Sequence, residues 1–176
     1  MCYAPSMKTL TLSLLLAMAA LAQGPDYKSL SGNARALQNL IKTNIERSAE
    51  KMPEEQYSFK PTPEVRSFGA ILGHIADAQY SFCSASLGEK NPAPGVEKNK
   101  TTKAELVSAL HDAFAYCDRA YSALTDANAA EKVAFGSGRA RLGVLSFNTS
   151  HNFEHYGNLV TYLRIKGIVP PSSERR

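Results

Sequence analysis

The chain has 176 residues, of which 44% are hydrophobic and 20% charged, and its formal net charge is +4. This length suits one domain with a sizeable core, and the composition excludes collagen-like and intrinsically disordered chains. The charge is weak for a nucleic-acid binder, and the basic residues lack the clustering with aromatic side chains that such binders need. We therefore expect a folded protein that does not act on DNA or RNA.

The first 22 residues have the pattern of a cleavable signal peptide. Lys8 is followed by a short apolar run, and Ala20-Leu21-Ala22 supplies a small-x-small cleavage site. A buried first helix and a transmembrane anchor are the alternatives, but the apolar run is shorter than the roughly 20 residues that a spanning helix needs. We expect the leader to be removed and the protein to be exported, periplasmic or secreted, without a stable membrane anchor.

Apolar residues recur at helical spacing in four segments after the leader, which predicts four helices. Ser67 is a plausible N-cap for the second helix, Gly88 ends it, and Thr102 and Glu105 form a capping box that opens the third. The sequence therefore predicts an all-α four-helix bundle over residues 23–171, followed by a tail at 172–176. The predicted helices span about 29–51, 102–124 and 141–166, and the second begins between residues 63 and 67 and ends at about 87.

Three histidines could meet inside such a bundle. His151 and His155 are four residues apart on the last helix, so they project from one face and can reach a single ion. His74 lies on the second helix among small and apolar neighbours. Each histidine by itself is more often a surface residue or a hydrogen-bonded core residue than a ligand. Together they are harder to explain as structural residues, because each would need its own buried partner.

Two stretches resemble the DinB-like (YfiT-like) family of metal-dependent enzymes. They are Phe68-Gly69-Ala70-Ile71-Leu72-Gly73-His74-Ile75-Ala76-Asp77 and His151-Asn152-Phe153-Glu154-His155-Tyr156-Gly157-Asn158-Leu159. The resemblance covers nearly the whole chain after the leader and implies a four-helix bundle that holds a divalent metal. The family's three ligands map to His74, His151 and His155. The family pattern often has His at the position of Glu154 and Gln at that of Asn158, and neither position is a mapped ligand.

Three neutral ligands leave coordination positions open, as in catalytic rather than structural sites. Imidazole suits zinc, nickel, iron and copper alike, and the resemblance favours zinc or nickel. Asp77 lies three residues after His74, and Glu154 three residues after His151. Either carboxylate could accept a ring N–H or act as a catalytic general base. The alternative for both is a solvated surface carboxylate.

Two functions follow from this site. The first is a metal-dependent enzyme, hydrolase-like or transferase-like, that acts on an unidentified small-molecule substrate. The second is a non-catalytic, exported metal-binding or stress-associated bundle protein. Some relatives use low-molecular-weight thiols, but such thiols are cytosolic, so the expected export argues against them here. A homodimer is compatible with either function.

Cys83 and Cys117 raise the question of a disulfide, because an exported protein meets an oxidising compartment. Cys83 lies about one turn before the end of the second predicted helix, and Cys117 about four turns into the third. If these helices are antiparallel neighbours, the two residues differ in level by roughly 15 Å, whereas a disulfide needs Cα atoms within about 7 Å. We therefore predict that the two cysteines do not pair.

Overall fold

Four long helices make up most of the described chain, which comprises residues 26–174 of a computed structural model. All four agree with the predicted segments to within one or two residues. The predicted leader, residues 1–22, lies outside the described range. A one-turn helix, a two-stranded antiparallel ribbon and two 3₁₀ turns were not predicted. The elements are α1 (Leu30–Lys51), α2 (Phe68–Leu87), α3 (Val96–Asn99), α4 (Lys103–Ala123), β1 (Lys132–Val133), β2 (Arg139–Ala140) and α5 (Arg141–Ile165), with 3₁₀ turns at Glu54–Gln56 and Pro171–Ser173.

The helix ends follow the local sequence signals. The Ser67 side chain accepts a hydrogen bond from the Ala70 amide at the start of α2. Thr102 and Glu105 form the predicted capping box at the start of α4, which satisfies two amides that have no partner inside the helix. Gly88 ends α2 with φ of 72°, a backbone conformation that favours glycine.

The four long helices pack as a bundle in which α1 and α2 each contact both α4 and α5. The Lys103 ammonium, at the start of α4, donates to two carbonyl oxygens at the end of α1, so these helices are antiparallel. The Tyr162 hydroxyl, near the end of α5, donates to the Arg66 carbonyl just before α2, so α2 and α5 are also antiparallel. Helix α2 is instead parallel to α4: Leu106 contacts the backbone near Gly69 at their beginnings.

The parallel arrangement arises because residues 88–102 return along α2 before α4 begins. The Asp77 carboxylate accepts hydrogen bonds from the amides of Gly95, Val96 and Glu97 at 2.7–2.9 Å, which fixes α3 halfway along α2. Gly73 permits this approach, since a Cβ atom there would meet the Glu97 Cα at 2.6 Å. Helix α4 therefore starts beside the first half of α2 and follows it in the same direction.

Cys83 and Cys117 form a disulfide between α2 and α4, with Cα atoms 5.2 Å apart, so the prediction that they do not pair is wrong. That prediction assumed that consecutive helices are antiparallel. Because α2 and α4 are parallel, residues late in both helices lie at the same level. Both side chains are fully buried.

A layer of buried polar side chains lies between two apolar clusters. The larger cluster contains residues such as Ile41, Phe68 and Leu159, and the smaller one surrounds the disulfide. The Gln79 amide donates to the Asn152 side-chain oxygen at 2.7 Å and accepts from the Asn148 side-chain nitrogen at 3.0 Å. We call these side chains the amide layer. Its members, all at most 7% exposed, are Gln38, Gln79, Asn148, Thr149 and Asn152.

The end of the described chain, up to residue 174, is packed against α1, although the sequence predicted that residues 172–176 form a tail outside the bundle; residues 175 and 176 lie outside the described range. Residues Pro171–Ser173 form a 3₁₀ turn, and Glu174 makes salt bridges with Arg47 and Lys51. Among the described residues, no helix combines the length and the apolar character needed to cross a membrane.

We expect protein lacking residues 1–22 to contain no free thiol when it is denatured without reductant, because Cys83 and Cys117 are paired. Reduction should lower the free energy of unfolding by about 2–4 kcal/mol, since it opens a loop closed between distant residues. Thiol titration and urea unfolding with and without reductant measure both effects. The stability of a Cys83→Ala/Cys117→Ala variant should not respond to reductant, and two free thiols in the unreduced protein would contradict the pairing.

Candidate metal centre

His74 on α2 meets His151 and His155 on α5, as the sequence predicted. The Nε2 atom of His151 lies 3.1 Å from that of His74 and 3.0 Å from that of His155. All three candidate ligand atoms lie within 4.8 Å of one another. His151 and His155 share a face because they are four residues apart on α5, and the antiparallel packing of α2 places His74 opposite them.

This spacing fits ligands around one ion. Two imidazole nitrogens bound to a tetrahedral ion at 2.0–2.1 Å lie about 3.4 Å apart. A neutral imidazole nitrogen carries either one proton or one lone pair, so His151 Nε2 can make a good hydrogen bond to only one of its two close neighbours at a time. Convergence of three ring nitrogens on one point is therefore better explained by a shared cation, and this cluster could bind a metal ion.

Burial keeps two of the rings neutral. Desolvation, followed by the nearby His155 and His74, lowers the pKa of His151 to about 4. Desolvation, followed by the charges of His74 and Arg66, lowers the pKa of His155 to about 4. Both imidazoles are therefore uncharged at neutral pH, and the uncharged ring is the form that binds metals.

Glu97, which the sequence analysis missed, supplies the carboxylate beside His74. Its Oε2 atom lies 3.4 Å from His74 Nδ1, the ring nitrogen that faces away from the other histidines. The Asp77 oxygens bind the backbone amides of residues 95–97 rather than a histidine ring, and a role of Asp77 as general base stays a prediction. Asp77 affects the centre indirectly, because it binds the segment that carries Glu97 and so places Glu97 beside His74.

The other two rings are supported differently. The Asn158 side-chain amide lies 3.4 Å from His155 Nδ1, so its oxygen can accept that ring N–H when the amide is in the flipped orientation. The Nδ1 atom of His151 is buried and has no hydrogen-bond partner among the described residues. Glu97, and Asn158 in the flipped orientation, are placed to favour the tautomer that leaves Nε2 of His74 and His155 free for a metal.

An aromatic cluster closes the centre on the His151 side. The ring of Phe82 lies 5.8 Å from that of His151 and contacts Phe135 and Phe147 at 5.1 and 5.4 Å. Arg139 on β2 stacks over Phe135 and Phe147. The ribbon between α4 and α5 therefore contributes to the wall of the centre.

The opposite side, next to His155, opens into a cleft of about 440 Å³. The Tyr162 ring is buried at its floor, and its hydroxyl is bound to the Arg66 carbonyl, so this tyrosine does not fill the cleft. Phe153 lines a different groove, between α1 and α5. The cleft is lined by Arg66, Ile71, Glu154, His155, Asn158 and Tyr162, among others.

Glu154 is exposed at the edge of the cleft, within electrostatic reach of His151, and its role as a general base stays a prediction. His111 lies on α4 next to Glu50 and does not belong to the cluster, in agreement with the sequence analysis. Glu97 and Arg66 were missed because both lie outside the long helices, where helical spacing gives no signal.

Comparison with known proteins agrees with this fold. The structure is similar to a DinB-like protein from Bacillus cereus ATCC 10987 (TM-score 0.70, 16% identity, 82% of this chain and 97% of that chain). It is also similar to a DinB-like protein from Bacillus subtilis (TM-score 0.60, 22% identity, 77% and 93%). A mycothiol-dependent maleylpyruvate isomerase is a third similar structure (TM-score 0.59, 15% identity), with 73% of this chain and 60% of that chain covered.

At these identities the three structures show the fold alone. No curated protein matches the sequence. Residues 41–159, more than half of the chain, match the sequence pattern of the DinB superfamily. From this match and the shared fold, we conclude that the chain belongs to the DinB superfamily.

Proposed function

We propose that the protein is a metal-dependent enzyme, hydrolase-like or transferase-like, that acts on a small molecule at a three-histidine centre. The observation that carries this proposal is the convergence of the Nε2 atoms of His74, His151 and His155 beside an open cleft. Three protein ligands leave at least one position for water or substrate, as catalytic metal sites do.

The cleft favours an enzyme over a non-catalytic metal-binding protein. A bundle that had kept its metal but lost turnover would be expected to fill the space beside the ligands. Here Phe153 lines a different groove, and Tyr162 lies at the floor of the cleft with its hydroxyl bound to the Arg66 carbonyl, so neither ring fills the space. The side chain of His74 remains 27% exposed, so a small molecule can reach the centre.

The chain's own residues supply positioning and proton transfer. A bound divalent ion would lower the pKa of a water molecule or polarise a substrate atom. Glu97 Oε2, 3.4 Å from His74 Nδ1, would accept the proton on that nitrogen and so leave Nε2 free to face the centre. The exposed Glu154 carboxylate, at the edge of the cleft, is the group available to receive a proton from the reacting molecule. Zinc or nickel is the proposed metal, since both suit imidazole ligands.

We also propose that the protein works outside the cytosol. The Cys83–Cys117 disulfide supports this, because buried disulfides persist in oxidising compartments and are rare in cytosolic proteins. The leader-like pattern of residues 1–22 supports it independently. An exported enzyme would not meet the cytosolic thiols on which some relatives depend, so a hydrolase-like reaction is at least as well supported as a thiol transfer.

We expect one zinc ion per chain, and a loss of zinc affinity of more than about 100-fold in His151→Ala or His155→Ala, because each variant removes a ligand. The helical circular dichroism should persist, since apolar clusters rather than the metal hold the bundle. Metal analysis and competition with a chelator measure the affinity.

The control is His111→Ala, which lies outside the cluster and should bind zinc like the wild type. In the cobalt-substituted wild type, added azide should change the visible spectrum because a coordination position is open. Full zinc affinity in either ligand variant would overturn the centre, and a spectrum insensitive to azide would favour the non-catalytic alternative.

Glu97→Gln should weaken zinc binding by about 10- to 100-fold, the usual cost of losing a carboxylate that supports a ligating histidine. Glu154→Gln should leave zinc affinity within about twofold of wild type, because we place Glu154 at the edge of the cleft rather than against a ring nitrogen. Equal effects of the two substitutions on zinc affinity would contradict the assignment of Glu97.

The metal-free protein should lose stability as the pH falls from about 6.5 towards 4. The folded-state pKa values of His151 and His155 are lowered to about 4, so the unfolded chain binds more protons in this window. The stability that these two rings contribute is fully present above about pH 6.5, their pKa in the unfolded chain. It is lost as the pH falls towards their pKa in the folded protein.

Urea unfolding at pH 7, 6 and 5 measures this dependence. A His151→Gln/His155→Gln variant cannot take up these protons, and all its other titrating groups are those of the wild type. Its free energy of unfolding should therefore change less with pH over the same range. Parallel curves for the two proteins would show that these rings are not responsible.

A further inference from the structure

We propose that the substrate carries a carboxylate and that Arg66 binds this group beside the metal centre. The inference rests on the proposed function and adds the chemical class of the substrate. The Arg66 guanidinium lines the cleft, and the proposed metal chemistry leaves this cation unused.

The Arg66 side chain is anchored at one end. Its Nε atom donates to Glu97 Oε1 at 2.9 Å, while Oε2 of the same carboxylate lies 3.4 Å from His74 Nδ1. Its backbone oxygen accepts from the Tyr162 hydroxyl at 2.8 Å. One carboxylate therefore links the guanidinium to a metal-centre histidine, which holds the positive charge at a fixed position relative to the centre.

The rest of the guanidinium is available to a ligand. Among the described residues, Glu97 is the only carboxylate within 4.0 Å of the Arg66 side-chain nitrogens, and it contacts Nε. The side-chain hydrogen bond of Arg66 is made by Nε, neither Nη group donates a hydrogen bond to the described residues, and the side chain is 45% exposed. A planar guanidinium edge matches the two oxygens of a carboxylate, which is the pairing that arginine makes most strongly.

The charges around the cleft favour a single carboxylate over a phosphate. Glu64 and Glu154 line the same cleft without pairing with Arg66. They would repel a dianion more strongly than a monoanion, and Arg66 is the only arginine or lysine among the cleft's lining residues. The volume of about 440 Å³ suits a small molecule that places a carboxylate at Arg66 and a second donor atom at the metal.

The test compares two thiols that differ only in charge, 3-mercaptopropionate and its neutral amide, 3-mercaptopropionamide. Each is titrated into the cobalt-substituted protein, and binding is followed by the thiolate-to-cobalt absorption in the near ultraviolet. We expect the acid to bind at least about tenfold more tightly than the amide, as a charge-assisted hydrogen bond to arginine predicts.

The ratio of acid to amide affinity is the measured quantity. It should fall to about one in Arg66→Gln and to an intermediate value in Arg66→Lys, which keeps the charge but not the planar fork. It should stay at the wild-type value in Lys60→Gln, which removes a charge from the segment leading into the cleft, where Lys60 bonds to the Pro63 carbonyl. Circular dichroism and the thiol-free cobalt spectrum check that each variant is folded and loaded.

The outcomes separate this inference from the proposed function. Absence of the absorption band with both thiols would overturn the open metal centre, and the role of Arg66 with it. A band with equal affinities for acid and amide in the wild type would overturn only the carboxylate assignment. A preference for the acid that survives in Arg66→Gln would also overturn it, because another cation would then be responsible.

Discussion

The hydrogen bond between the side chains of Gln79 and Asn152 is the contact on which the rest of the site depends. It joins α2 to α5 at 2.7 Å inside the amide layer, where neither group can turn to water instead. A shift of one helix along the other would leave several buried amides without partners, each at a cost of about 1–3 kcal/mol. Apolar side chains tolerate such shifts far better, so this layer sets the register of the bundle.

That register brings the three histidines together. Gln79 lies five residues after His74 on α2, and Asn152 directly follows His151 on α5. Once the two amides are paired, the antiparallel helices place His74 opposite the His151–His155 face. The amide layer and the candidate metal centre are thus adjacent levels of one arrangement, and the disulfide lies on the far side of the layer from the centre.

The segment between α2 and α4 also fixes the position of residues around the centre. Asp77 binds three consecutive amides, and Gly73 removes the side chain that would keep them away. Together they bring Glu97 beside His74 and make α4 parallel to α2. One carboxylate, that of Glu97, then contacts both a ring of the centre and the guanidinium of Arg66. This chain of contacts joins the proposed metal chemistry to the proposed recognition of the substrate.

The sequence by itself determined the local structure and the candidate metal ligands. Helical spacing and capping residues such as Ser67 and Gly88 placed the four long helices, because these signals act within one or two turns. The spacing of His151 and His155 predicted a shared face for the same reason. The small and apolar neighbours of His74 marked it as a third candidate, and the resemblance to the DinB-like family grouped it with the other two, because it lies 77 residues from His151.

Only the tertiary structure decided which way the helices run and what surrounds the histidines. The direction of α4 depends on hydrogen bonds that the Asp77 carboxylate accepts from backbone amides about 20 residues away, and nothing in the sequence of that loop reveals them. Cys83 pairs with Cys117 because of that direction. The positions of Glu97 and Arg66 beside the histidines likewise depend on contacts made by the returning segment. Helical periodicity depends only on residues that are close in sequence. These contacts form only after the chain has returned along α2, so the sequence alone could not predict them.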